Sequence, residues 1–311
     1  MSTQRSFLYA AFVGALCLVG CEKSCSKKIS QPPSEHSQIL QKKEELISTL
    51  PNLDISGLTD LQVKSLTKFL NEEICPCGCP TTFAQCLQTA GCEPGLMLAK
   101  WAIHQLKEGA PEHYLYKAVS EEVNAGYTAQ AQTLTLLDAH HKGNPKADIV
   151  IVEFADFECP GCKMAASEMK EFMKGRDDVV LYFMHFPLSV HPHAQAAAVA
   201  AEAAGLQGKF WDLHDLMFHH QGPLTPEVIK GLAKQVFSDP KKLAQFERDL
   251  SNKKLLEKVQ AHKAYGQDEL KLMATPTFLW NGRPYNLSSN KEGYRLRLDM
   301  ERARKDIQCH K

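Results

Sequence analysis

A pair of cysteines with catalytic spacing lies near the middle of the 311-residue sequence, at Cys159-Pro160-Gly161-Cys162. On the first turn of a helix, this spacing brings two sulfurs close enough to form or break a disulfide without large backbone movement. Pro160 favours the first helical position, which places Cys159 at the N-cap, where free N–H groups and the helix dipole stabilise a thiolate. We therefore predict that Cys159 attacks disulfides and that Cys162 resolves the mixed disulfide.

Zinc binding is the alternative use of two such cysteines, since a pair can supply half of a tetrahedral site. No second Cys-x-x-Cys and no His-x-x-x-His follows them at finger spacing. This favours redox chemistry, and we expect neither a metal nor a cofactor. The paired histidines of the chain are interpreted as structural, because no acidic residue stands near them at ligand spacing. They are His140 and His141, His191 and His193, and His219 and His220.

An acidic residue lies six positions before Cys159, within an apolar segment that predicts a buried strand, Ile149 to Phe154. Both faces of this strand carry apolar residues, so either face should be buried. Burial of the Glu153 carboxyl raises its pKa, which would let it exchange a proton with the Cys162 thiol. The alternative is a frayed strand end that exposes Glu153 to water. We favour the catalytic interpretation because buried carboxyl groups cluster at active sites.

A second group of cysteines precedes this region. Its members are Cys75, Cys77, Cys79, Cys86 and Cys92. Structural disulfides are the favoured interpretation for a small exported helical unit. Zinc or an iron–sulfur cluster fits the one-residue spacings poorly, because metal knuckles use Cys-x-x-Cys. A sharper hypothesis is a second thiol centre, in which an unpaired member of the group exchanges disulfides with Cys159.

The elements that position these residues differ between the two parts of the chain. Residues 56–127 predict a small all-α domain, with a capping box at Thr59 and Gln62. Further helices are predicted from Gly95 to Glu108 and from Pro111 to Gly126.

From residue 131 onward, strands alternate with helices, which is typical of an α/β fold. Val179 to Phe186 predicts a second strand, and residues 192–270 predict helices without strand signals. Asn281-Gly282 predicts the tight turn of a β-hairpin, and a last helix follows it.

Several motifs of this α/β region occur in an order that identifies a family. The segment Ile151 to Cys162 is followed by Phe186-Pro187-Leu188, Gly208-Lys209-Phe210-Trp211 and Ala274-Thr275-Pro276-Thr277-Phe278. This ordered set resembles the DsbA-like branch of the thioredoxin superfamily. The resemblance implies a thioredoxin-like core, residues 131–311, with a helical insertion at about 192–270. The small all-α cysteine-rich domain would precede it.

The resemblance also implies functions for individual residues. Cys159 would be the nucleophile, Cys162 the resolving thiol and Glu153 the buried acid beneath them. Pro276 matches the family's cis-proline, and the backbone of Thr275 would bind an extended substrate.

One position departs from the family pattern. The best-known oxidases and isomerases of the family carry a histidine between the two cysteines, where this chain has Pro160-Gly161. Without that positive partner the Cys159 thiolate should be less stabilised. We therefore expect a less oxidising disulfide than theirs.

The N-terminus predicts export as a bacterial lipoprotein. Phe7 to Gly20 is an apolar run of 14 residues, shorter than a bilayer span and typical of a signal-peptide core. Its end, Leu18-Val19-Gly20-Cys21, resembles the lipobox, in which Cys21 carries the lipid. A plain signal peptide with a chance cysteine is the alternative.

The predicted organisation is therefore a lipoprotein signal peptide over 1–20, a lipidated tether over 21–55, the helical domain over 56–127 and the α/β domain over 131–311. Glu22 after the lipid cysteine slightly favours sorting to the outer membrane. Cys25 and Cys309 remain unassigned.

Composition limits the classes of function. Lys plus Arg and Asp plus Glu number 36 each, which argues against the strongly basic surface that non-specific nucleic-acid binding requires. Eleven cysteines suit an oxidising compartment, the periplasm or cell envelope. We predict a thiol-disulfide oxidoreductase enzyme whose partners are thiol- or disulfide-bearing envelope proteins, an unidentified redox partner and, through the lipid, a membrane. The alternatives are a dedicated reductase for one client, such as an apocytochrome or a metallochaperone, and a non-catalytic thioredoxin-fold binding lipoprotein.

Overall fold

The computed structural model describes residues 53–76, 79–88, 92–123 and 130–303, which belong to one compact unit. The predicted signal peptide and the cysteine predicted to carry a lipid lie outside the described residues, as do three further cysteines of the chain. These positions are Cys21, Cys25, Cys77 and Cys309. Within the described residues, no helix combines the length and the apolar character needed to cross a bilayer.

Helices form the described segment that precedes the sheet. They are α1 Asp60–Glu72, α2 Phe83–Gln88, α3 Glu93–Lys107 and α4 Glu112–Val123. Helix α1 begins at the predicted capping box, in which Thr59 and Gln62 each accept a hydrogen bond from the other's backbone N–H. Helix α2 is not predicted by the sequence, because six residues are too few to show a helical period.

One mixed sheet forms the centre of the α/β region, in the strand order β1-β3-β2-β4-β5. The strands are β1 His140–Gly143, β2 Ile149–Ala155, β3 Val179–His185, β4 Thr277–Trp280 and β5 Arg283–Pro284. Strands β2 and β3 are parallel, whereas the other neighbours are antiparallel. Helix α5, Pro160–Met173, connects β2 to β3. Because β2 is central and covered on both faces, it is apolar on both of them.

Strand β1 is absent from the sequence prediction. Its residues alternate between half-buried and exposed, and none of them is apolar. The strand pairs with the edge of β3, where His140 lies opposite Phe183. A short polar edge strand has no hydrophobic period, so only the backbone pairing reveals it.

A set of helices separates β3 from β4 and covers one side of the sheet, as the sequence predicts for residues 192–270. They are α6 Ala194–Gly205, α7 Phe210–His219, α8 Pro226–Val236, α9 Pro240–Asp249 and α10 Lys253–Ala264. Helix α10 continues into a π-helical turn, Tyr265–Glu269. The alanine-rich α6 packs against α7, α8, α9 and α10, because its small side chains let the other helices approach closely.

The predicted hairpin joins β4 to β5. Asn281 and Gly282 have φ angles of 47° and 76°, the left-handed conformation that a two-residue turn requires. The Asn281 side chain also accepts a hydrogen bond from the Val150 backbone N–H at 2.8 Å, which fixes the turn to the end of β2. A side chain at Gly282 would clash with the Gln132 carbonyl oxygen, at 2.1 Å from the Cβ position.

The last helix, α11 Lys291–Ala303, joins the helical segment to the sheet. It packs against both α3 and α5, and one hydrophobic cluster includes side chains from the helical segment and from the sheet. The buried Arg297 side chain pairs with Glu122 of α4 and, at 2.9 Å, with Glu301. The predicted fold class is confirmed: a thioredoxin-like α/β core with a helical insertion, preceded by a helical segment that carries cysteines.

Candidate active site

Cys159 is the N-cap of α5, with an extended backbone before Pro160 at the first helical position. Its sulfur lies 3.4 Å from the Thr275 carbonyl oxygen, to which the protonated thiol donates a hydrogen bond. The peptide bond between Thr275 and Pro276 is cis. A Cβ at Gly161 would lie 3.1 Å from the Pro276 ring, so glycine between the cysteines allows this close approach. The helix start and the proline loop thus form one compact surface around the Cys159 sulfur.

The two thiols have opposite electrostatic environments. The hydrogen bond from the Cys162 thiol is the largest contribution that lowers the pKa of Cys159, to about 5, with smaller contributions from Thr275 and from the N–H groups at the helix start. Burial raises the pKa of Cys162 far above that of a free thiol. At neutral pH the pair therefore holds one thiolate, on Cys159, and one thiol, on Cys162.

Glu153 lies within strand β2, opposite Phe183 on one side and Phe278 on the other. Its side chain is only 1% exposed, so the frayed-end alternative does not describe this residue. Its Oε1 atom has no hydrogen-bond partner among the described residues. Burial alone raises the pKa of Glu153 to about 8, which places a proton-exchanging carboxyl in the core at neutral pH.

Asp156 and His191 belong to the site, although the sequence argument assigns no function to Asp156 and treats His191 as structural. The buried Asp156 carboxylate contacts His191 Nδ1 at 2.8 Å and accepts the Leu188 N–H at 2.8 Å. The Asp156 backbone N–H donates to the Cys162 sulfur at 3.5 Å. Burial opposes protonation of His191, but the hydrogen bond and charge of Asp156 prevail and raise the pKa of His191.

The sequence indicates a function for His191 only indirectly. Asp156 lies between Glu153 and Cys159 in the motif, but the 35 residues that separate it from His191 hide the contact. Only the turn from β3 into the helical insertion brings the two side chains together. Glu158 fixes the same loops, since its carboxylate accepts the N–H groups of His193 at 2.8 Å and Leu224 at 2.9 Å.

A family comparison agrees with this geometry. A family model described as thioredoxin matches residues 135–299, which is more than half of the chain. The chain belongs to the thioredoxin family. The matched residues include both thiols of the site, and these are free cysteines in the described structure. Membership of this family supports a thiol-disulfide oxidoreductase.

Curated relatives of the thioredoxin region are parts of longer proteins. The Na(+)/H(+) antiporter NhaA 1 of Salinispora arenicola is 39% identical over 154 residues, which are 49% of this chain and 23% of that protein. The antiporter NhaA 3 of Salinispora tropica is 37% identical over 155 residues, 48% of this chain and 23% of that protein. The chain thus spans about a quarter of the length of these relatives, and the activity in their names belongs to the whole proteins.

Solved structures resemble the thioredoxin region as well. A thioredoxin-like oxidoreductase from Silicibacter pomeroyi has 26% identity and a TM-score of 0.48, covering 53% of this chain and 92% of that chain. Oxidised BdbD from Bacillus subtilis has 23% identity and a TM-score of 0.48, covering 57% of this chain and 98% of that chain.

The cysteine group of the helical segment lies apart from the thioredoxin site in sequence and differs from it in chemistry. Cys75 and Cys86 form a disulfide, and Cys79 and Cys92 are also disulfide-bonded. The sulfurs of Cys75, Cys86 and Cys92 lie within 4.8 Å of one another, a spacing that free thiolates could use to hold a metal. Because sulfurs in disulfides are not thiolate ligands, structural disulfides describe these residues best.

Proposed function

We propose that this thioredoxin-family protein exchanges disulfides with extracytoplasmic proteins through Cys159 and Cys162. The observation that carries the proposal is the difference in pKa between the two thiols, lowered to about 5 at Cys159 and strongly raised at Cys162. The Cys159 thiolate, which is 8% exposed, can attack a client sulfur, whereas the fully buried Cys162 thiol stays protonated until a base removes its proton. The pair thus has one nucleophilic thiolate and one resolving thiol, which stays protonated until the second step.

The reaction follows from this division. The Cys159 thiolate attacks a client disulfide, forms a bond to one client sulfur and expels the other as a thiolate, which takes a proton from solvent. Cys162 then gives its proton to the ionised form of Glu153, which is the minor form at neutral pH, and attacks the Cys159 sulfur. A Cys159–Cys162 disulfide forms and the second client thiolate leaves, so the client gains two electrons. The reverse sequence oxidises a client dithiol.

Features around Cys159 suit a protein client. Large apolar side chains are exposed on the segments that adjoin the site in sequence: Met164 on α5, Val190 beside His191, and Met273 before the cis-proline loop. Exposed apolar side chains favour binding of unfolded or partly folded chains. The backbone of Thr275 would pair with an extended client segment, as the family resemblance implies.

The cell envelope is the proposed location. The proposal rests on the signal-peptide pattern, on the lipobox-like end at Cys21 and on the disulfides of the helical segment, which suit an oxidising compartment. A lipid on Cys21 would tether the protein to a membrane, with the outer membrane slightly favoured by Glu22.

Thiol reactivity tests the proposal. The reduced protein is alkylated with iodoacetamide at a series of pH values, and each modified cysteine is quantified by mass spectrometry. Cys159 should react at a rate that falls only as the pH drops toward about 5. Cys162 should stay unmodified in the folded protein and serves as the internal control.

A rate at Cys159 that falls already below pH 8 would contradict the proposal and would favour the non-catalytic binding protein. A dedicated reductase would give the same alkylation profile as a general exchanger. It would differ in trapping one envelope protein, rather than many, in a Cys162→Ala variant.

A further inference from the structure

Glu153 needs a proton route that does not run through the cysteines. Its carboxyl is buried in the central strand, and its Oε1 atom has no partner among the described residues. In each turnover the proposed function requires this carboxyl to take a proton from Cys162 and later to release it. A group sealed in the core would exchange that proton slowly, so the surroundings of Glu153 decide how fast the site can reset.

A small cavity connects the Glu153 side chain with the insertion helix α7. Its polar lining consists of Glu153, Lys142, Lys170, Trp211, His214 and Asp215. The volume open within it is about 10 Å³, which is about the space that one water molecule needs. Apolar side chains of α5 and β3 complete the walls of the cavity.

His214 supplies the second buried polar group of this cavity. Its Nδ1 atom contacts Asp215 Oδ1 at 2.9 Å, while its Nε2 atom is buried and has no partner among the residues that the structure describes. Aromatic rings hold the imidazole in place, with centroids at 4.8 Å for Phe218 and 5.1 Å for Phe183. The Asp215 contact favours the tautomer that carries its proton on Nδ1, which leaves Nε2 as an acceptor.

Asp215 and Lys170 carry the polar side of the cavity to the surface. Asp215 is 27% exposed and forms a 2.7 Å ion pair with Lys170, which is 53% exposed. The series of polar groups therefore extends from the buried Glu153 carboxyl, through the cavity and His214, to the Asp215 carboxylate, which contacts solvent.

We propose that a water molecule in this cavity connects Glu153 to His214 and Asp215 and gives the redox site its proton path to solvent. The proposal rests on the proposed function of Cys159 and Cys162. His214 acts through Glu153 and is therefore a positioning residue for proton transfer, not a catalytic residue that touches the client.

Proton movement in this path balances without any further reactant. Because burial raises the pKa of Glu153 to about 8, most of this carboxyl holds a proton at neutral pH and must lose it before it can accept another. Glu153 gives this proton to the cavity water, which passes one of its own protons to His214 Nε2, while the Nδ1 proton moves to Asp215 and on to solvent. When Cys162 then attacks the Cys159 sulfur, its proton passes to the ionised Glu153, and the electron pair of the broken bond leaves with the client sulfur. The imidazole is then neutral with its proton on Nε2, and the reverse passage of a proton, when a client dithiol next reduces the cysteine pair, restores the Nδ1 tautomer.

The charges around His214 suit an imidazole that carries an extra proton only briefly in each turnover. Burial lowers the pKa of His214 and outweighs the opposing hydrogen bond and charge of Asp215. Lys142 of β1 and His185 of β3 lower it further, so the ring stays neutral between turnovers. Lys170 on α5 and Glu153 on β2 are the other titratable groups that line the cavity.

The test compares His214→Phe with wild type in single-turnover resolution of a mixed disulfide between Cys159 and a small aromatic thiol. The loss of Nε2 should slow the step by about tenfold or more at neutral pH, which is less than the roughly 10²–10⁴-fold contribution of a general acid–base group, because His214 acts only through Glu153. It should also change the solvent deuterium isotope effect. Adding His214→Phe to a Glu153→Gln background should cause no further slowing, because both variants interrupt one path. The alkylation rate of Cys159 should be unchanged.

His262→Phe is the matched control, since His262 is equally buried on α10 but does not line the cavity. It should leave the resolution rate and the isotope effect unaltered. Asp215→Asn is a second variant in case His214→Phe folds poorly, and it should also slow resolution. Unchanged resolution in both variants, or equal slowing by His214→Phe with and without Glu153, would overturn the proton path. A wild-type protein that never forms the mixed disulfide would instead overturn the proposed function.

Discussion

At the scale of single residues, the contact between the two thiols determines their chemistry. The Cys162 thiol is the largest contribution to the lowered pKa of Cys159, ahead of the contact with Thr275 and the helix N–H groups. The sequence predicts the N-cap and its backbone donors correctly, but it does not predict the dominance of the thiol–thiol hydrogen bond. That bond depends on side-chain positions that spacing alone does not give.

Replacing the resolving thiol should therefore weaken the nucleophile. In Cys162→Ala, the pKa of Cys159 should rise from about 5 toward the ordinary thiol value, because its main hydrogen-bond donor is lost. The ultraviolet absorbance of the thiolate, followed against pH, measures the shift. Cys162→Ser keeps a hydroxyl donor and should retain a lower pKa than Cys162→Ala. Equal midpoints in wild type and Cys162→Ala would contradict this assignment.

Ionisation of the buried Glu153 carboxyl should lower the free energy of unfolding as the pH rises. Its pKa is raised from about 4.5 to about 8 on folding, so its neutral form contributes fully below pH 4.5 and the contribution is lost between pH 4.5 and 8. Glu153→Gln should thus be more stable than wild type at pH 7, by on the order of 3 kcal/mol from 1.36 kcal/mol per pKa unit. Urea unfolding at pH 4 and pH 7 measures the difference, which should nearly vanish at pH 4. A pH-independent difference would contradict the buried, protonated carboxyl.

His191 supplies a charge near the thiolate that the two residues between the cysteines do not. The pKa of His191 is raised by Asp156 and also by the charge of Cys159. A raised histidine pKa stabilises the fold fully below the ordinary value of about 6.5, and this contribution is lost as the pH rises through the folded pKa. Because the thiolate and the imidazolium stabilise each other, His191→Gln should raise the pKa of Cys159. Thiolate absorbance measures it, with His193→Gln as the neighbouring control, and an unchanged midpoint would contradict a function for His191.

At the scale of elements, long periodic segments were predictable and short ones were not. Helix α5, strands β2 and β3, the insertion helices and the Asn281-Gly282 hairpin all follow from apolar periodicity and turn residues. Strand β1 and helix α2 do not, because a four-residue polar edge strand and a six-residue helix carry too little pattern. The His191–Asp156 contact was equally hidden, since it depends on how the turn after β3 folds back over β2.

Helix α11 connects to α4 through a buried ion pair that should matter for stability. Arg297 contacts Glu122 of α4 and Glu301 of its own helix, and all three are buried. Arg297→Met should destabilise the protein by about 3–5 kcal/mol, because it leaves the Glu122 carboxyl buried without its partner. Adding Glu122→Gln should recover part of the loss. Urea unfolding measures both, and Arg302→Met on the exposed face of α11 is the control. If Arg297→Met lowers the free energy of unfolding by no more than Arg302→Met does, a stabilising function of the buried ion pair is contradicted.

At the scale of the whole molecule, the helical segment and the sheet share one hydrophobic cluster. The division into domains at residues 56–127 and 131–311 remains a prediction, and the shared cluster indicates that the two parts stabilise each other. The sequence places the cysteine group in a helical segment and the reactive pair in a thioredoxin-like region, as the structure has them. The sequence could not indicate that α11 packs against both α3 and α5, because the contact with α3 joins segments nearly 200 residues apart.

The two sets of cysteines should respond differently to reductants. Cys75 and Cys86 are 0% and 4% exposed and form a disulfide, whereas Cys159 is 8% exposed and has a lowered pKa. Under mild reductant, a Cys159–Cys162 disulfide should open first and the helical-segment disulfides should persist. Mass spectrometry of alkylated peptides measures the order. Simultaneous opening would favour the hypothesis that the helical-segment cysteines act as a second thiol centre with Cys159.

In the proposed function, Cys159 forms a covalent bond with a client sulfur and Cys162 releases it. To test this, the Cys162→Ala variant is mixed with a disulfide-containing protein, and the cross-linked peptide is identified by mass spectrometry. We expect a stable mixed disulfide at Cys159, which wild type resolves and Cys159→Ala does not form. A variant that yields no adduct, or an adduct at a cysteine of the helical segment instead, would contradict it.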